Sequence, residues 1–525
     1  MPRRWIIPGL VALVACFSGG WLLQRQLGVS QDVYQQARLF EQVLAHVRDY
    51  QVDSVPEGEL YRRAIDGMLG QLHDPYAAFL VGQDYQRLQE RTTGDYGGIG
   101  LQVDARNGWI TVVTPMPGTP GERAGIRSGD QLVEVDGVSA AGWTMERTVQ
   151  ALRGPIGSAI DLAVRREGVE APMRHRLTRE RIHQRAVSEG LLLADGVGYL
   201  SLSMVRENCA EELEQEVERL IERGMKSLVL DLRSDPGGLR DEAVQAADLF
   251  LDPRQDILIS RGRAPGDNHT WSDMASQRWR TLPIVVLVNR GTASAAEIIA
   301  GALQDHDRAL VVGDTSYGKG IVQTVFPLGP EVALRITTAR WYTPSGRSIQ
   351  GASLDSVMGA THALANPVLY RTDSGRPLYG GGGIVPDVML DPDTLTTPEQ
   401  GFTGALNGQL TAFRDVITAY ALELRRRNVV ASESFQVSQA MRDELRARLA
   451  ARGVRLADTT FAAGSTILSQ QLSYEVARYR FGQAAERRRR VTDDPQIGRA
   501  AELLRQANTP SALLGLASAR PSGSH

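Results

Sequence analysis

The chain has 525 residues, more than one hydrophobic core accommodates, so several domains are expected, with ample length to bury an enclosed site. Its 58 Lys and Arg against 61 Asp and Glu give a formal net charge of -3 with the two signs interspersed, which argues against nucleic acid as a partner. Cysteine occurs only at Cys16, in an apolar leader, and at Cys209, so the body can form no internal disulfide or thiolate metal site, and no metal or other cofactor is expected.

The leader, residues 1–30, reads Met1-Pro2-Arg3-Arg4, then an apolar run from Trp5 to Leu23, then Gln24-Arg25, the pattern of an export signal. The run is about long enough to span a bilayer as a helix, although Pro8, Gly9, Ser18, Gly19 and Gly20 weaken it. An uncleaved anchor is expected, with Arg3 and Arg4 cytoplasmic and the body in the periplasm or another extracytoplasmic space of the cell envelope. The alternative is a lipoprotein, since Leu13-Val14-Ala15-Cys16 resembles a processing box that would acylate Cys16.

Residues 31–92 carry apolar positions at helical spacing, Leu39, Val43, Leu44 and Val47, then Leu60, Ala64, Ile65, Met68, Leu69 and Leu72, closed by Asp74-Pro75. Glycines from Gly94 to Gly98 open a domain of short β-runs over 93–180. From 181 to 395 buried strand patterns (Gly198 to Met204, Ser227 to Leu232, Ile284 to Val288, Ala309 to Val312) alternate with helical stretches such as Glu211 to Glu222 and Ala293 to Leu303. That alternation predicts an α/β core, and the whole reads as a multidomain α/β protein. Residues 396–510 return to helical spacing, with Leu410, Phe413, Val416, Tyr420 and Leu424 on one face, and are expected either to pack on the core or to mediate self-association or bind an adaptor. Arg487 to Arg490 reads as a solvated helix face, and the small-residue tail 511–525 as disordered.

Two constellations carry chemistry. Gly98-Ile99-Gly100-Leu101 runs into the strand-like Gln102-Val103, so loop N–H groups can converge on a carboxylate while the strand offers an edge for an added peptide. Strand Ile284 to Val288 leads through Asn289-Arg290-Gly291-Thr292-Ala293-Ser294 into a helix, which exposes a serine hydroxyl where backbone amides can stabilise an oxyanion. Downstream, Gly318-Lys319-Gly320 sets a lysine between glycines in an apolar or small-residue setting, where burial favours the neutral amine. Glycine and Ser/Thr spacing rules out a phosphate loop, and a serine with a lysine base is an established chemistry. His269 and His306 keep a His/Asp triad open, although His306 reads more naturally as a helix end.

Pro117 to Asp130, with Gln131 to Gly137 and Leu152-Arg153-Gly154-Pro155, resembles a PDZ domain of the circularly permuted bacterial type. Together with Asp231-Leu232-Arg233, Pro236-Gly237-Gly238, Val288 to Asp305, Gly318-Lys319-Gly320, Val322-Gln323 and Tyr342 to Arg347, it resembles the carboxyl-terminal processing (tail-specific) proteases, peptidase family S41, over about residues 35–390. The resemblance implies a ClpP/crotonase-like α/β protease core with an inserted PDZ domain between N-terminal and C-terminal helical regions. It implies Ser294 as nucleophile, Lys319 as general base and Gln323 orienting the lysine, with an oxyanion hole from Ala295 and one of Gly237 and Gly238. It further implies substrates with apolar C-terminal tails docking at Gly98, Ile99, Gly100 and Leu101, with Arg153 as a candidate link between PDZ domain and protease. The alternatives are a catalytically silent tail-binding scaffold or chaperone, and a non-proteolytic hydrolase or ligand-binding protein on the same α/β core. The chain departs from the family pattern at Thr292 and Ala296, where serines are usual, at Asp235, where asparagine is common, and in the glycine-rich Gly380 to Gly383. A charge at Asp235 near the oxyanion side is expected to slow the reaction.

Overall fold

A computed structural model describes residues 33–351, 368–390 and 396–518. The expected anchor and Cys16 lie outside the described residues, and among those described no helix is long and apolar enough to cross a membrane. The described residues fall into two compact units, one within 33–81 and 324–337, the other within 82–323 and 338–518.

In the smaller unit, a helix over 33–50 precedes helix Glu57–Gly70, which Pro56 starts and which Glu57 and Glu59 favour through their charge at its N-terminus. Strand Ala78–Val81 pairs antiparallel with Val332 to Arg335, and the Asp74 carboxylate accepts the N–H groups of Tyr76 and Thr337, each at 3.0 Å. Leu60 and Leu69 are buried, whereas Leu39, Val43, Met68 and Leu72 remain exposed.

In the larger unit, the β domain is an antiparallel sheet in the order Leu101–Arg106, Trp109–Pro115, Gln131–Val135, Ala159–Arg165, Met173–Thr178. Alternating residues Ile110, Val112, Leu132, Ile160, Leu162 and Val164 form its core with Leu152 of helix Met145–Leu152, whose first turn is capped by the Thr144 hydroxyl. Leu101–Arg106 is the terminal strand of this sheet. The chain enters and leaves the domain through a two-stranded neck, Asp95–Gly98 against Glu180–His183.

The core sheet runs Leu191–Leu192, Val197–Ser201, Ser227–Asp231, Ile284–Val288, Leu310–Gly313, Val388–Met389, antiparallel in the first pair and parallel in the rest. Both faces are covered, which is why its strands read as continuous apolar runs. Leu228, Leu230, Ile284, Val286 and Val288 face helices Cys209–Glu222, Arg240–Asp248 and Ala295–Asp305, while Val229, Val285, Leu287, Leu310 and Val312 face helices Pro495–Arg505 and Pro510–Ser518.

The C-terminal region therefore splits. Its last two helices form a layer of the α/β core, and helices Thr397–Ala405 through Ser465–Phe481 build a separate core around Phe402, Phe413, Leu445 and Leu468. Helix Leu410–Arg426 also holds the β domain: Asp415 accepts the Asn107 N–H at 3.2 Å, Arg425 donates to the Ser128 carbonyl at 2.9 Å, and Arg426 pairs with Glu167 at 3.0 Å.

Two expectations are corrected here. The first part of the tail expected to be disordered is helical over Pro510–Ser518, because Leu513, 1 % exposed, and Leu514 give it an apolar face against the sheet, a signal that the many small residues mask, and residues 519–525 lie outside the described residues. Arg487 to Arg490 do not form one solvated face. Arg488 pairs with Glu433, Arg489 lies over the Phe435 ring and donates to carbonyls, and Arg490 bonds Glu486 and covers Tyr474. One helical turn points four consecutive side chains in different directions.

Candidate active site

Strand Ile284–Val288 delivers the chain into a loop tied on both sides before the helix begins. Asn289 Oδ1 accepts the N–H groups of Gly291 at 2.9 Å and Ser234 at 2.8 Å. The Thr292 hydroxyl donates to the Leu232 carbonyl at 2.8 Å and accepts the Asn289 N–H at 3.0 Å. That departure thus supplies a buried hydrogen bond, while Ala296 packs fully buried in the core.

Ser294 is the N-cap of helix Ala295–Asp305, with φ 55° and ψ −116°. This is a region that side-chain-bearing residues avoid and that stores strain where it persists. The surroundings hold it there. Ala293 N–H donates to the Asp235 carbonyl at 2.9 Å, and Ser294 N–H donates to Glu297 Oε2 at 2.7 Å.

Lys319 lies on a second loop, before strand Ile321–Gly329. Gly318 has φ +83°, and a Cβ there would meet the Ile349 carbonyl oxygen at 2.8 Å, so only glycine fits without strain. Gly320 N–H donates to Gln350 Oε1 at 2.8 Å, and the Lys319 carbonyl accepts the Trp341 indole N–H at 3.0 Å. From this fixed backbone Lys319 Nζ donates to Gln323 Oε1 at 2.8 Å.

Glu297 joins the two loops, and sequence reasoning gave it no role. Its fully buried carboxylate receives four donors. The Ser316 hydroxyl, at 2.5 Å, and Gly318 N–H, at 2.7 Å, reach Oε1; Ser294 N–H, at 2.7 Å, and Lys319 N–H, at 2.9 Å, reach Oε2. Burial pushes this carboxyl up from its ordinary value, and the four donors, Ser316 foremost, pull against that. The available signal was the Ser-x-x-Glu spacing of a capping box.

Opposite Ser294 lies the turn Ser234 to Gly238. Gly237 has φ +86°, and a Cβ on it would meet the Ala293 carbonyl at 2.5 Å, Ala295 N at 2.7 Å and Ser294 Cβ at 3.0 Å, so its backbone abuts the serine turn directly. Gly237 N–H donates to Asp235 Oδ1 at 2.8 Å. Gly238, with φ +154°, presses on the Val205 carbonyl, which a Cβ would reach at 1.9 Å. Ala295 is the first residue of its helix, where N–H groups lack intrahelical acceptors.

The other motif residues are structural. Arg233 bonds Asp231 at 2.7 Å and Asp494 at 2.9 Å, tying the sheet to helix Pro495–Arg505. Arg347, fully buried, donates to Gln304 Oε1 at 2.6 Å and Asp305 Oδ1 at 2.7 Å, fixing the far end of the helix that Ser294 begins. His306 does cap that helix, between Asp373 at 2.8 Å and the Asp256 carbonyl at 2.6 Å. Among the described residues no group of three or more His, Cys, Asp or Glu is placed to hold a metal ion.

In the β domain, Gly98, Gly100, Leu101, Met145, Val149 and Leu152 line a groove of 390 Å³ beside the terminal strand. Ile99 contributes there, but its side chain, 2 % exposed, belongs to the domain core. Arg153 stacks on Tyr96, 4.3 Å from the ring centroid, and bonds Glu90 at 2.5 Å.

With that geometry in hand, the comparisons with known proteins are specific. The profile of peptidase family S41 matches residues 196–357, and that of the PDZ domain matches 111–166. Over 328 residues, 62 % of this chain and 75 % of the relative, the sequence is 38 % identical to the carboxy-terminal-processing protease of Bartonella bacilliformis. The chain belongs to the carboxy-terminal-processing protease family. It is a serine-type peptidase with a PDZ domain, and the multidomain α/β organisation expected for the family is the one described above. A probable CtpA-like serine protease of Staphylococcus haemolyticus is 32 % identical over 62 % of this chain and 65 % of its own length. Among solved structures, a photosystem II D1 C-terminal processing protease is 29 % identical with a TM-score of 0.36, covering 68 % of this chain and 88 % of its own.

Proposed function

We propose that this protease hydrolyses peptide bonds with Ser294 as nucleophile and Lys319 as general base, on protein substrates whose apolar C-terminal tails dock in the PDZ groove. The observation that carries the reading is the Glu297 carboxylate, which bonds the backbone N–H of both Ser294 and Lys319 on a single oxygen. A structural serine cap and a structural surface lysine would need no such common anchor.

A neutral lysine amine has two N–H bonds and one lone pair. Gln323 Oε1 holds one N–H and so aims the lone pair, which takes the Ser294 proton as Oγ attacks the carbonyl carbon. The oxyanion is met by the Ala295 N–H and by Gly238, because the Gly237 N–H is committed to Asp235. Lys319 returns the proton to the leaving amine as the C–N bond breaks. It then takes a proton from the water that attacks the acyl-enzyme and gives it back to Ser294 as the acid departs.

The tail adds as a strand along Leu101–Arg106, its carboxylate facing the N–H groups after Gly98 and its apolar side chains facing Leu101, Met145 and Val149. The N-terminal leader anchors the enzyme in the membrane with its body extracytoplasmic; a mature chain beginning at a lipidated Cys16 would replace the anchor by a lipoprotein. The functional test incubates substrates with swapped C-terminal tails with wild type, Ser294→Ala and Lys319→Ala, and reads products by mass spectrometry. Cleavage that needs both residues and an apolar tail is expected, and cleavage surviving Ser294→Ala removes the assignment. Tail binding without cleavage by the wild type would identify a silent scaffold.

A further inference from the structure

Asp235 is a buried acid that the mechanism above leaves unused. Its side chain is fully buried, Oδ1 accepts the Gly237 N–H at 2.8 Å, and Oδ2 has no hydrogen-bond partner among the described residues. Its carbonyl accepts the Ala293 N–H at 2.9 Å, so the residue is joined to the serine loop through its main chain and to the glycine turn through its side chain. A buried carboxylate with one oxygen unsatisfied is a costly arrangement, and it stands behind the backbone that abuts Ser294 Cβ and Ala295 N.

Resting on the Ser294 reading, we propose that Asp235 is a positioning residue: in either protonation state it holds the Gly237-Gly238 turn, but when ionised it opposes the negative charge that develops on the substrate oxygen, so the enzyme works with this carboxyl protonated.

Its burial supports that state. Burial pushes the Asp235 carboxyl up to about 7, offset in part by the Gly237 N–H and by the charge of Arg206. Arg206, on the segment before helix Cys209–Glu222, is itself largely buried, donates to the Gln184 carbonyl at 2.9 Å, and forms no ion pair with Asp235. From the start of that helix comes the Cys209 thiol, which burial and the charges of Glu242 and Asp235 push upward, so it stays neutral. Glu242, on helix Arg240–Asp248, is occupied by the N–H groups of Asn208 at 3.0 Å and Ala210 at 3.2 Å. On helix Ala295–Asp305 the first-turn charge is Glu297, and the loop opposite brings Lys319. Burial outweighs the pull of Arg206 and of the Gly237 N–H, which favours the neutral carboxyl. A neutral acid keeps an oxygen for Gly237 N–H, and the amide introduced by Asp235→Asn would do the same without a charge at any pH.

The test is the pH profile of Ser294 acylation by a serine-directed probe in wild type, Asp235→Asn and Asp235→Ala. Groups other than Asp235 are common to all three proteins, so the ratio of variant to wild type at each pH is read for the contribution of Asp235. The Asp235→Asn to wild-type ratio is expected to rise about tenfold or more between about pH 6 and pH 9, as a preorganised oxyanion site loses its unwanted charge. Asp235→Ala, which also leaves Gly237 N–H without its acceptor, is expected to be slow throughout. A ratio for Asp235→Asn that stays constant with pH overturns the proposal, as does full activity of Asp235→Ala. If Ser294→Ala itself still cleaves substrate, the reading of the site has failed rather than this inference.

Discussion

Replacing Glu297 by glutamine swaps one carboxylate oxygen for an NH2 group while keeping shape and volume. Each oxygen of Glu297 receives two donors, Ser316 and Gly318 on one, Ser294 and Lys319 on the other. Whichever oxygen becomes nitrogen, two donors face a donor, in a site with no access to water. A hydrogen bond to a charged group contributes about 1.5–3 kcal/mol, so losing two costs about 3–6 kcal/mol, shared between fold stability and the alignment of the two loops. If half of that falls on alignment, the rate drops by about 10- to 100-fold at 1.4 kcal/mol per decade. The assay pairs kcat/KM on a tail-bearing substrate with thermal unfolding of Glu297→Gln. A variant with wild-type kcat/KM and wild-type melting temperature refutes the clamp. A variant that melts lower yet turns over normally confines Glu297 to the fold and removes the observation on which the Ser294/Lys319 assignment rests.

Gly237→Ala places a methyl 2.5 Å from the Ala293 carbonyl and 2.7 Å from Ala295 N at φ +86°, so probe labelling of Ser294 should fall at least about a hundredfold; labelling at the wild-type rate would show that this turn does not shape the site. Arg347→Met leaves Asp305 buried without its cation, and breaking such a pair costs about 3–5 kcal/mol, read as a lower urea midpoint; an unchanged midpoint contradicts it. Asp235 also predicts a pH effect on stability. Its folded pKa, about 7, exceeds the unfolded value, so the folded state binds the extra proton and stability falls as pH rises from about 4 to 7, by an amount on the order of 4 kcal/mol, most of which Asp235→Asn should lack. Parallel melting-temperature curves for the two proteins across that range would contradict the burial of this acid.

The parts of the site legible in the sequence are those whose local setting is unusual. A serine after a buried strand and before a helix, and a lysine between two glycines, each stand out within a few residues, and Gln323 lies close enough in the chain to Lys319 to be paired with it. Long-range partners were not legible. Ser-x-x-Glu reads as a helix cap, and nothing local says that the same Glu297 also receives Ser316, Gly318 and Lys319 from another loop. Asp235 could be seen as a departure, but its hold on the Gly237 N–H, which moves the proposed oxyanion donor to Gly238, depends on a turn geometry that composition does not encode. The α/β alternation was readable because both faces of the sheet are covered. That residues 495–518 supply one of those covers was not, since their leucines are diluted by alanine and glycine and their partners lie about one hundred to three hundred residues away in the chain.

The central claim is that the Lys319 amine activates Ser294. It is tested most directly by the rate at which a serine-directed acylating probe modifies Ser294, located by peptide mass spectrometry, in wild type, Lys319→Ala and Lys319→Arg at matched folding. Labelling at Ser294 in the wild type, slowed about a hundredfold or more in both variants, is the predicted result. Wild-type labelling rates in Lys319→Ala, or a label on another residue, would contradict it.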